Sequence, residues 1–562
     1  MAFLASGCSL GGTTAGPDAE DPGDPAPLVS RLDAHRFLDR ATFGATPAEI
    51  ARVRTMGFGA WIDDQLSRPA SSVFGPMAAL HACHPHLGPD DEACDDYNPT
   101  EEEIDSIGVM RRQLWWRAAL TGEDQLRQRV AFALSQIFVV SMLHDDLDGA
   151  PLLFADYHDR LAAGAFGSYR DLVEEVSKNS VMGEYLGMAK NRKADPVLNT
   201  RPDENFAREL MQLFSIGLSM LNPDGSVVPG ADGAPVPTYD QFTIEETSRA
   251  LTGWNHAWYE PPSASLDEFL ELEYRAGPMV PWPAFHDTGA KTIVGGALVP
   301  AGQSAEADLD AVLDALASHP NVGPFIGKQL IQRLVTSNPS PAYVARISAV
   351  WDDDGAGVRG NLGAVVKAIL LDPEALRGVR DDPAFGLVRE PILRLSAFLR
   401  AFDGATFADL DSGWVEEELG QGAYFAPSVF NFFRPEFTTN ELAAQGLVSP
   451  EMQITTHSGL AGAHNLLSLL VWEGYVAYGG DEPQPKLWNV DGLLPLSADP
   501  DALVARIEER LLGEPLPEPA RSQLVAFVAS VDLGDPGPEQ GLDRALEAVS
   551  LVLHSPSYTV QN

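Results

Sequence analysis

Apolar residues recur at the three-to-four-residue spacing of an α-helix along most of this 562-residue chain. That spacing puts the apolar side chains on one face of each helix, and such faces must be covered by neighbouring helices. No segment rich in Pro and Gly cleanly divides residues 30–562. The sequence therefore predicts a mainly α fold, a single large multi-helix domain with irregular loop insertions and at most a short β-hairpin.

The pattern also predicts where the helices lie. Two are expected within residues 27–66, two long ones within 100–141, two within 152–185, one over 204–217 and one over 242–254. Thr46, Pro47 and Glu49 have the residue types of a cap, a first turn and a third helical position. Residues 291–300 predict the hairpin. Later helices are expected at 308–318, 322–335, 341–351, 362–371, 391–402, 460–478, 502–512 and 542–554.

The charge of the chain limits its partners. Eighty acidic and 38 basic residues give a formal net charge of −42. Such a surface repels the phosphates of nucleic acids and anionic lipids, so we expect no nucleic-acid partner. Charged residues interrupt every long apolar stretch, which argues against a transmembrane helix. The acidic surface itself is most simply explained by solubility.

The N-terminus resembles the lipobox of bacterial lipoproteins, because small residues directly precede Cys8. The basic region and most of the apolar region of a signal peptide are missing, so the alternative is that Cys8 stands there by accident. Residues 9–27 are rich in Gly, Thr, Asp and Pro, a composition typical of a flexible tether. We therefore expect residues 1–29 to be a signal remnant and tether of an exported, periplasmic or cell-surface lipoprotein, bound to membranes only through Cys8.

Two further cysteines, Cys83 and Cys94, flank a loop-like segment that contains His84 and His86. An exported protein would favour a disulfide between the two cysteines. The alternative is a metal site that uses both cysteines and both histidines, although zinc ligands are usually more closely spaced.

The helix expected over residues 204–217 carries an acid beside its own apolar face. Glu209 falls at the border of the apolar stripe, whereas Glu204 and Arg208 lie on the far side as an ordinary i,i+4 ion pair. A carboxylate that loses water needs a partner, because desolvating an unpaired charge is costly. Glu209 is therefore a candidate site residue.

Two other segments carry candidate partners for Glu209. Arg249 lies on the helix expected over residues 242–254 and could bind a carboxylate bidentately, either Glu209 or a substrate acid. His286, Asp287 and Lys291 stand together on a tight turn, a setting that often carries function. In the alternative interpretation, Glu209 and Arg249 form a structural pair, and His286 with Asp287 only holds a loop.

If these residues converge, they offer acid/base chemistry or a metal site. Glu209, His286 and Asp287 could act as general acid and base, with Arg249 and Lys291 holding an anionic group. The same oxygen-rich set could bind a divalent metal, for which magnesium, calcium or manganese suits better than zinc. Standard catalytic signatures, including nucleophile elbows, zinc-protease motifs, phosphate loops and dinucleotide fingerprints, are absent from the sequence.

The same segments resemble a bacterial family known as domain of unknown function 1800. The resemblance runs from about residue 35 to 457, with His286-Asp287 and Lys291 among its landmarks. The other landmarks are Arg40-Ala-Thr-Phe-Gly-Ala-Thr-Pro47, Gln128-Arg-Val-Ala-Phe-Ala-Leu134, Glu204-Asn-Phe-Ala-Arg-Glu-Leu210, Arg249-Ala-Leu-Thr-Gly-Trp254, Gln329-Leu-Ile-Gln-Arg333 and Pro427-Ser-Val-Phe-Asn-Phe-Phe-Arg-Pro435.

This chain departs from the family pattern at two places. The family usually has Asn where this chain has Asp203, and often Glu where it has Gln212, which weakens any role of that position as a metal ligand or base. The resemblance implies a mainly helical, exported bacterial protein with a secreted sulfatase-like partner, and it supplies no activity or catalytic residues.

Two functions remain open. One is an enzyme of hydrolase or lyase type acting on an extracellular polymer or its fragments. The other is a non-enzymatic scaffold or binding protein that works with the sulfatase-like partner. An open cleft formed by Glu209, Arg249, His286, Asp287 and Lys291 would favour the enzyme, and a scattered or sealed arrangement would favour the scaffold.

Overall fold

The computed structural model describes residues 29–82, 100–257, 265–271, 276–382, 384–403, 412–474, 487–537 and 540–561. The predictions made for Cys8, for the tether, and for the pair Cys83 and Cys94 lie outside these residues. The described chain is mainly α, as the apolar spacing predicts.

The first part of the fold is built from helices alone. They are α1 (Arg31–Ala41), α2 (Pro47–Met56), α3 (Phe58–Ser67), α4 (Phe74–Leu80), α5 (Glu101–Thr121), α6 (Gln125–Ser135), α7 (Pro151–Gly164), α8 (Tyr169–Lys178) and α9 (Ser180–Tyr185). Two helices were expected within residues 27–66, but Gly57 divides the second of them into α2 and α3. Two were also expected within residues 152–185, where Asn179 separates α8 from α9. Gly57 has a φ of +80°, and the side chain of Asn179 caps α9. The predicted cap of α2 is confirmed, because Thr46 Oγ1 accepts from the Glu49 amide at 3.1 Å.

The middle part combines short helices with small sheets. It contains α10 (Asn205–Gln212), α11 (Gln241–Ala250), β1 (Trp254–Asn255), α12 (Leu266–Glu271), β2 (Val280–Pro281), β3 (Lys291–Thr292), β4 (Leu298–Val299) and α13 (Ala305–Ser318). Strands β3 and β4 are the predicted hairpin, with Lys291 opposite Val299. Strands β1 and β2 form a second antiparallel pair.

Helix α10 is shorter than the sequence predicts. It starts at Asn205, whose amide donates to Asp203 Oδ1 at 2.7 Å, and it ends at Gln212 rather than at Gly217. The chain then turns, and Gly217, with a φ of +70°, donates its amide to the carbonyl of Met211. Pro202 and Asp203 therefore precede the helix, and the predicted last turn is a loop.

The remaining elements are again mostly helical. They are α14 (Val322–Leu334), α15 (Pro341–Asp352), α16 (Leu362–Leu371), α17 (Pro373–Asp381), β5 (Leu387–Val388), α18 (Pro391–Ala401), α19 (Ser412–Leu419), α20 (Asn440–Ala443), α21 (His457–Glu473), α22 (Pro500–Leu511), α23 (Ala520–Ser530), α24 (Leu542–Leu553), α25 (Pro556–Thr559) and β6 (Val560–Gln561). Strands β5 and β6 pair antiparallel although they are far apart in sequence, so the fold has more strand pairing than a single hairpin.

One hydrophobic cluster of buried residues extends from Ala34 on α1 to Tyr558 on α25. Large aromatic side chains fill it, among them Trp61, Trp116 and Trp351, which have no exposed surface. Burial of such residues is the main driving force for folding. Within the described parts of the chain, no helix is both long enough and apolar enough to cross a bilayer.

Candidate functional site

Helix α11 and the turn after β2 bring Arg249 and Asp287 together. Arg249 Nε lies 2.8 Å from Asp287 Oδ2, and Arg249 Nη2 lies 3.1 Å from Oδ1, so the contact is bidentate. Arg249 Nη1 also donates to Glu246 Oε1 at 2.6 Å on the same helix. Such a planar fork is the strongest ion-pair geometry available to arginine. It ties the 286–291 turn to the end of α11.

Lys291 and His286 meet a third acid that the sequence analysis did not single out. Lys291 Nζ lies 2.6 Å from Asp308 Oδ2 in the first turn of α13. His286 Nε2 lies 3.2 Å from the same oxygen, and Gln303 Nε2 donates to the other one at 2.9 Å. His286 Nδ1 lies 2.8 Å from the carbonyl oxygen of Thr252, which can only accept, so Nδ1 carries a proton.

The Lys291 ammonium donates hydrogen bonds to three acceptors of the protein. Besides Asp308, its ammonium donates to the carbonyl oxygens of Asp287 and Gly289. His286 and Lys291 are each 2% exposed and Asp308 is 0% exposed. These three groups are therefore closed off from solvent, and the Lys291 ammonium is paired with the Asp308 carboxylate.

The electrostatics of both acids fit this arrangement. Burial raises the pKa of Asp308, but hydrogen bonds from His286, Gln303 and Lys291 outweigh it and hold the pKa below its ordinary value. Burial likewise raises the pKa of Asp287, but hydrogen bonds from the Arg249 guanidinium and the Gly289 amide have the larger effect. The pKa of Asp287 is therefore below its ordinary value. Both acids therefore stay ionised at neutral pH and hold their cations in place.

Glu209 is not part of this network. Although α10 packs against α11, Glu209 makes no hydrogen bond or ion pair with Arg249, His286, Asp287 or Lys291. The proposed pairing of Glu209 with Arg249 is wrong, because Arg249 is taken by Asp287 and Glu246. Helices α10 and α11 are linked instead by Gln241 Nε2, which donates to Glu204 Oε2 at 2.9 Å.

Glu209 is a buried acid that forms no ion pair with a described residue. It is 7% exposed, and its Oε2 accepts no hydrogen bond from the part of the chain that the structure describes. Burial raises the pKa of Glu209, and the positive charge of Arg208 offsets this only in part. The Tyr239 hydroxyl also has no hydrogen-bond partner among the described residues, and burial together with the charge of Glu209 raises its pKa to about 12.

A second buried polar cluster was not predicted. Arg129 on α6 donates to the carbonyl oxygen of Arg333 on α14 at 2.6 Å, and Arg333 Nη2 donates to that of Gln136 at 3.3 Å. The Gln136 and Gln421 amides both donate to Glu390 Oε2 at 2.5 Å. This cluster joins the landmark segments that begin at Gln128 and Gln329, to which the sequence analysis gave no role.

The Glu451 carboxyl lies at the edge of this cluster, in a cavity of about 10 Å³ that also involves Gln329, Gln332 and Arg333. That volume suits one water molecule. Three buried polar atoms of these residues have no hydrogen-bond partner in the described part of the chain: Gln329 Nε2, Gln332 Oε1 and Arg333 Nη1. Burial raises the pKa of Glu451 to about 8, and the neighbouring charge of Glu390 adds to the effect while Arg333 opposes it. Charged residues inside the apolar runs of α6 and α14 were the sequence signal for this cluster.

Metal binding is the remaining prediction for these residues. In the portions of the chain that the structure describes, no three His, Cys, Asp or Glu side chains are arranged to hold a metal ion. Glu209 is apart from His286, and the Asp287 carboxylate is occupied by Arg249. The predicted set of Glu209, His286 and Asp287 therefore does not form a common ligand cage.

Comparison with known proteins supplies the family. No curated protein matches this chain, and no solved structure matches it. The family profile described as protein of unknown function (DUF1800) matches residues 36–560. This range covers nearly the whole chain and extends the resemblance well beyond residue 457. The chain belongs to the DUF1800 family.

Proposed function

We propose that this protein is a non-enzymatic binding or scaffold protein that works with a secreted sulfatase-like partner. In this proposal it is exported and held at a membrane by a lipid on Cys8. The network of Arg249, Asp287, Lys291 and Asp308 then serves to stabilise the fold.

One observation carries the proposal: His286 and Lys291 are sealed inside the protein together with Asp308. Arg249 and Asp287 are partly exposed, but they are paired with each other. A substrate would have to reach His286 and Lys291, which are each 2% exposed. It would also have to compete with Asp308, which lies 2.6 Å from the Lys291 ammonium. Catalytic groups must contact the reacting atoms, so residues that are buried or already paired with one another are better suited to structure than to chemistry.

The test is to produce the full chain with its sulfatase-like partner and to measure complex formation by size-exclusion chromatography with light scattering. We expect a stable complex. The double variant Lys291→Met/Asp308→Asn removes both buried charges and keeps hydrogen-bonding groups towards His286 and Gln303. It should bind the partner as the native chain does.

Two results would contradict the proposal. The first is the absence of any complex at micromolar concentrations of both proteins. The second is substrate turnover by the native chain that disappears in the double variant while its unfolding midpoint stays unchanged.

A second candidate function rests on Glu209, the one predicted site residue outside the sealed network. A buried carboxyl with a raised pKa and an unpaired oxygen suits a general acid in hydrolase or lyase chemistry on an extracellular polymer. Turnover of polysaccharide fragments that is lost in Glu209→Gln, with the Glu204→Gln control active, would support it. Turnover retained in Glu209→Gln would exclude Glu209 as the acid.

A further inference from the structure

A cleft between α1, α3 and the start of α17 differs in charge from the rest of the protein. Its volume is about 320 Å³, at the lower end for small-molecule sites. Arg36, Arg40 and Arg377 line it together with a single acid, Asp33. Three guanidiniums in one cleft are unexpected in a chain with a formal net charge of −42. The cleft is therefore a local site of attraction for anions.

Arg40 is the buried member of this set. It is 4% exposed, and its Nη1 donates to the carbonyl oxygen of Ala375. Its Nε has no acceptor among the described residues, and the guanidinium carbon lies 5.6 Å from the Phe385 ring centroid. An arginine carries five N–H donors, and a buried cation without a counter-charge is costly. No acid in the described part of the chain forms an ion pair with Arg40, although Asp33 and Asp39 lie near enough to favour its charged form.

The other two arginines differ in whether an acid of the protein already engages them. Arg36 Nη2 lies 2.9 Å from Glu514 Oε1, and that glutamate is itself 45% exposed. Arg377 is exposed on α17, and no hydrogen bond or ion pair from the described residues engages its side chain. Arg377 can therefore turn towards a ligand without breaking an existing contact.

Apolar side chains form the rest of the wall. Phe37 and Phe58 lie with ring centroids 4.7 Å apart, and Phe58 is only partly buried. Leu376 adds a further apolar surface from α17. Cationic groups beside aromatic and aliphatic walls suit a ligand with one anionic end and one apolar body.

We propose that this cleft binds a small organic anion, with a carboxylate, sulfate or phosphate group held by Arg40 and Arg377 and an apolar body against Phe58 and Leu376. The proposal assigns a role to Arg40, the first residue of the Arg40–Pro47 motif. It is independent of the sulfatase-like partner and of Glu209.

Calorimetric titration of the full chain tests this with phenyl phosphate, phenyl sulfate and benzoate as probes. We expect at least one of them to bind with a dissociation constant below 1 mM, about −4 kcal/mol. Inorganic phosphate should bind about tenfold more weakly, because it lacks the apolar body. Benzyl alcohol, which lacks the charge, should show no binding up to 10 mM, about −3 kcal/mol.

The decisive variant is Arg377→Gln, because the Arg377 side chain forms no hydrogen bond or ion pair with the described residues. It should weaken binding of the best probe about tenfold, as expected for one charge-assisted hydrogen bond. Leu376→Glu places a negative charge in the lining and should abolish binding. Arg117→Gln, an exposed arginine on α5, is the matched control and should bind as the native chain does.

The proposal is overturned if none of the three aromatic anions binds below 10 mM, about −3 kcal/mol. It is also overturned if Arg377→Gln and Leu376→Glu, both still folded by circular dichroism, bind as tightly as Arg117→Gln. That second result would mean that the anions bind elsewhere on the protein.

Discussion

Gly253 lies directly against the backbone of His286. A Cβ atom at residue 253 would be 2.8 Å from the His286 amide nitrogen and 2.9 Å from its Cα. Gly253 also has a φ of +82°, which L side chains rarely adopt. Only glycine therefore allows the turn after α11 to support the loop that carries His286 and Asp287.

Gly253→Ala should destabilise the protein by about 2–4 kcal/mol, because backbone strain and steric overlap add together. Gly295→Ala is the matched control, since Gly295 has a φ of +70° but nothing within 4 Å of an added Cβ. We expect the control to lose only about 1 kcal/mol. Urea unfolding of both variants measures the difference, and equal losses would refute the close contact with His286.

Lys291→Met should cost about 3–5 kcal/mol of unfolding free energy, because it leaves the fully buried Asp308 carboxylate without its cation. The double variant Lys291→Met/Asp308→Asn should recover much of that loss, since no uncompensated charge remains. Chemical denaturation of the two single variants and the double variant gives the coupling energy. A loss below about 1 kcal/mol in Lys291→Met would show that this pair does not stabilise the fold.

Glu451 should make stability fall as the pH rises from about 5 to 8. Its pKa is about 8 in the fold but near the ordinary glutamate value when unfolded, so the folded state binds more protons in this window. The loss approaches about 1.4 kcal/mol for each pH unit. Urea unfolding at several pH values should show this slope in the native chain and a flatter one in Glu451→Gln.

Asp39 should produce the opposite dependence of stability on pH, at acid pH, and so provides an internal control. Burial raises its pKa, but His35 and Arg389 lower it more, to about 2. The stability it contributes is present above the unfolded pKa and is lost as the pH falls through 4 towards 2. Glu451→Gln should leave the loss of stability below pH 4 unchanged. If the variant still loses stability between pH 5 and 8 as the native chain does, Glu451 is not the source of that loss.

Glu209→Gln should leave the protein as stable as before, or make it more stable, at pH 8. The raised pKa means that ionising Glu209 inside the fold is unfavourable, and the neutral amide avoids this. The advantage should grow as the pH rises above the ordinary pKa of glutamate. Glu204→Gln, which breaks an i,i+4 pair with Arg208, is the control and should lose only about 0.5 kcal/mol. A large loss in Glu209→Gln would reveal a hidden partner of the carboxylate.

Local features were well predicted from the sequence. The cap at Thr46 and the hairpin that begins at Lys291 depend on neighbouring residues, so residue types alone specify them. Helix α10 was predicted too long, because its apolar pattern continues into a loop that folds back through Gly217. The spacing of apolar residues indicates which side of a segment is buried. It does not indicate where the backbone hydrogen bonds of the helix end.

Partners across the fold were harder to predict. The sequence singled out both Arg249 and Asp287, yet the partners it offered for Arg249 were Glu209 or a substrate acid. The true pairing depends on how the 286–291 turn is placed by Gly253 and the Thr252 carbonyl. Asp308 was missed because it reads as an ordinary first-turn acid of α13. Its role arises only when Lys291 is brought against it.

The pairing of β5 with β6 has a consequence for how fast the chain folds. Val388 pairs with Val560, and the next residue, Arg389, lies over the Tyr558 ring at 4.8 Å and reaches Asp39 Oδ2 on α1 at 2.9 Å. One arginine thus connects the first described helix, α1, with the last described helix, α25. Closing so long a loop carries a large entropic barrier, whereas single helices form in about a microsecond. Refolding should therefore be limited by this closure and not by helix formation.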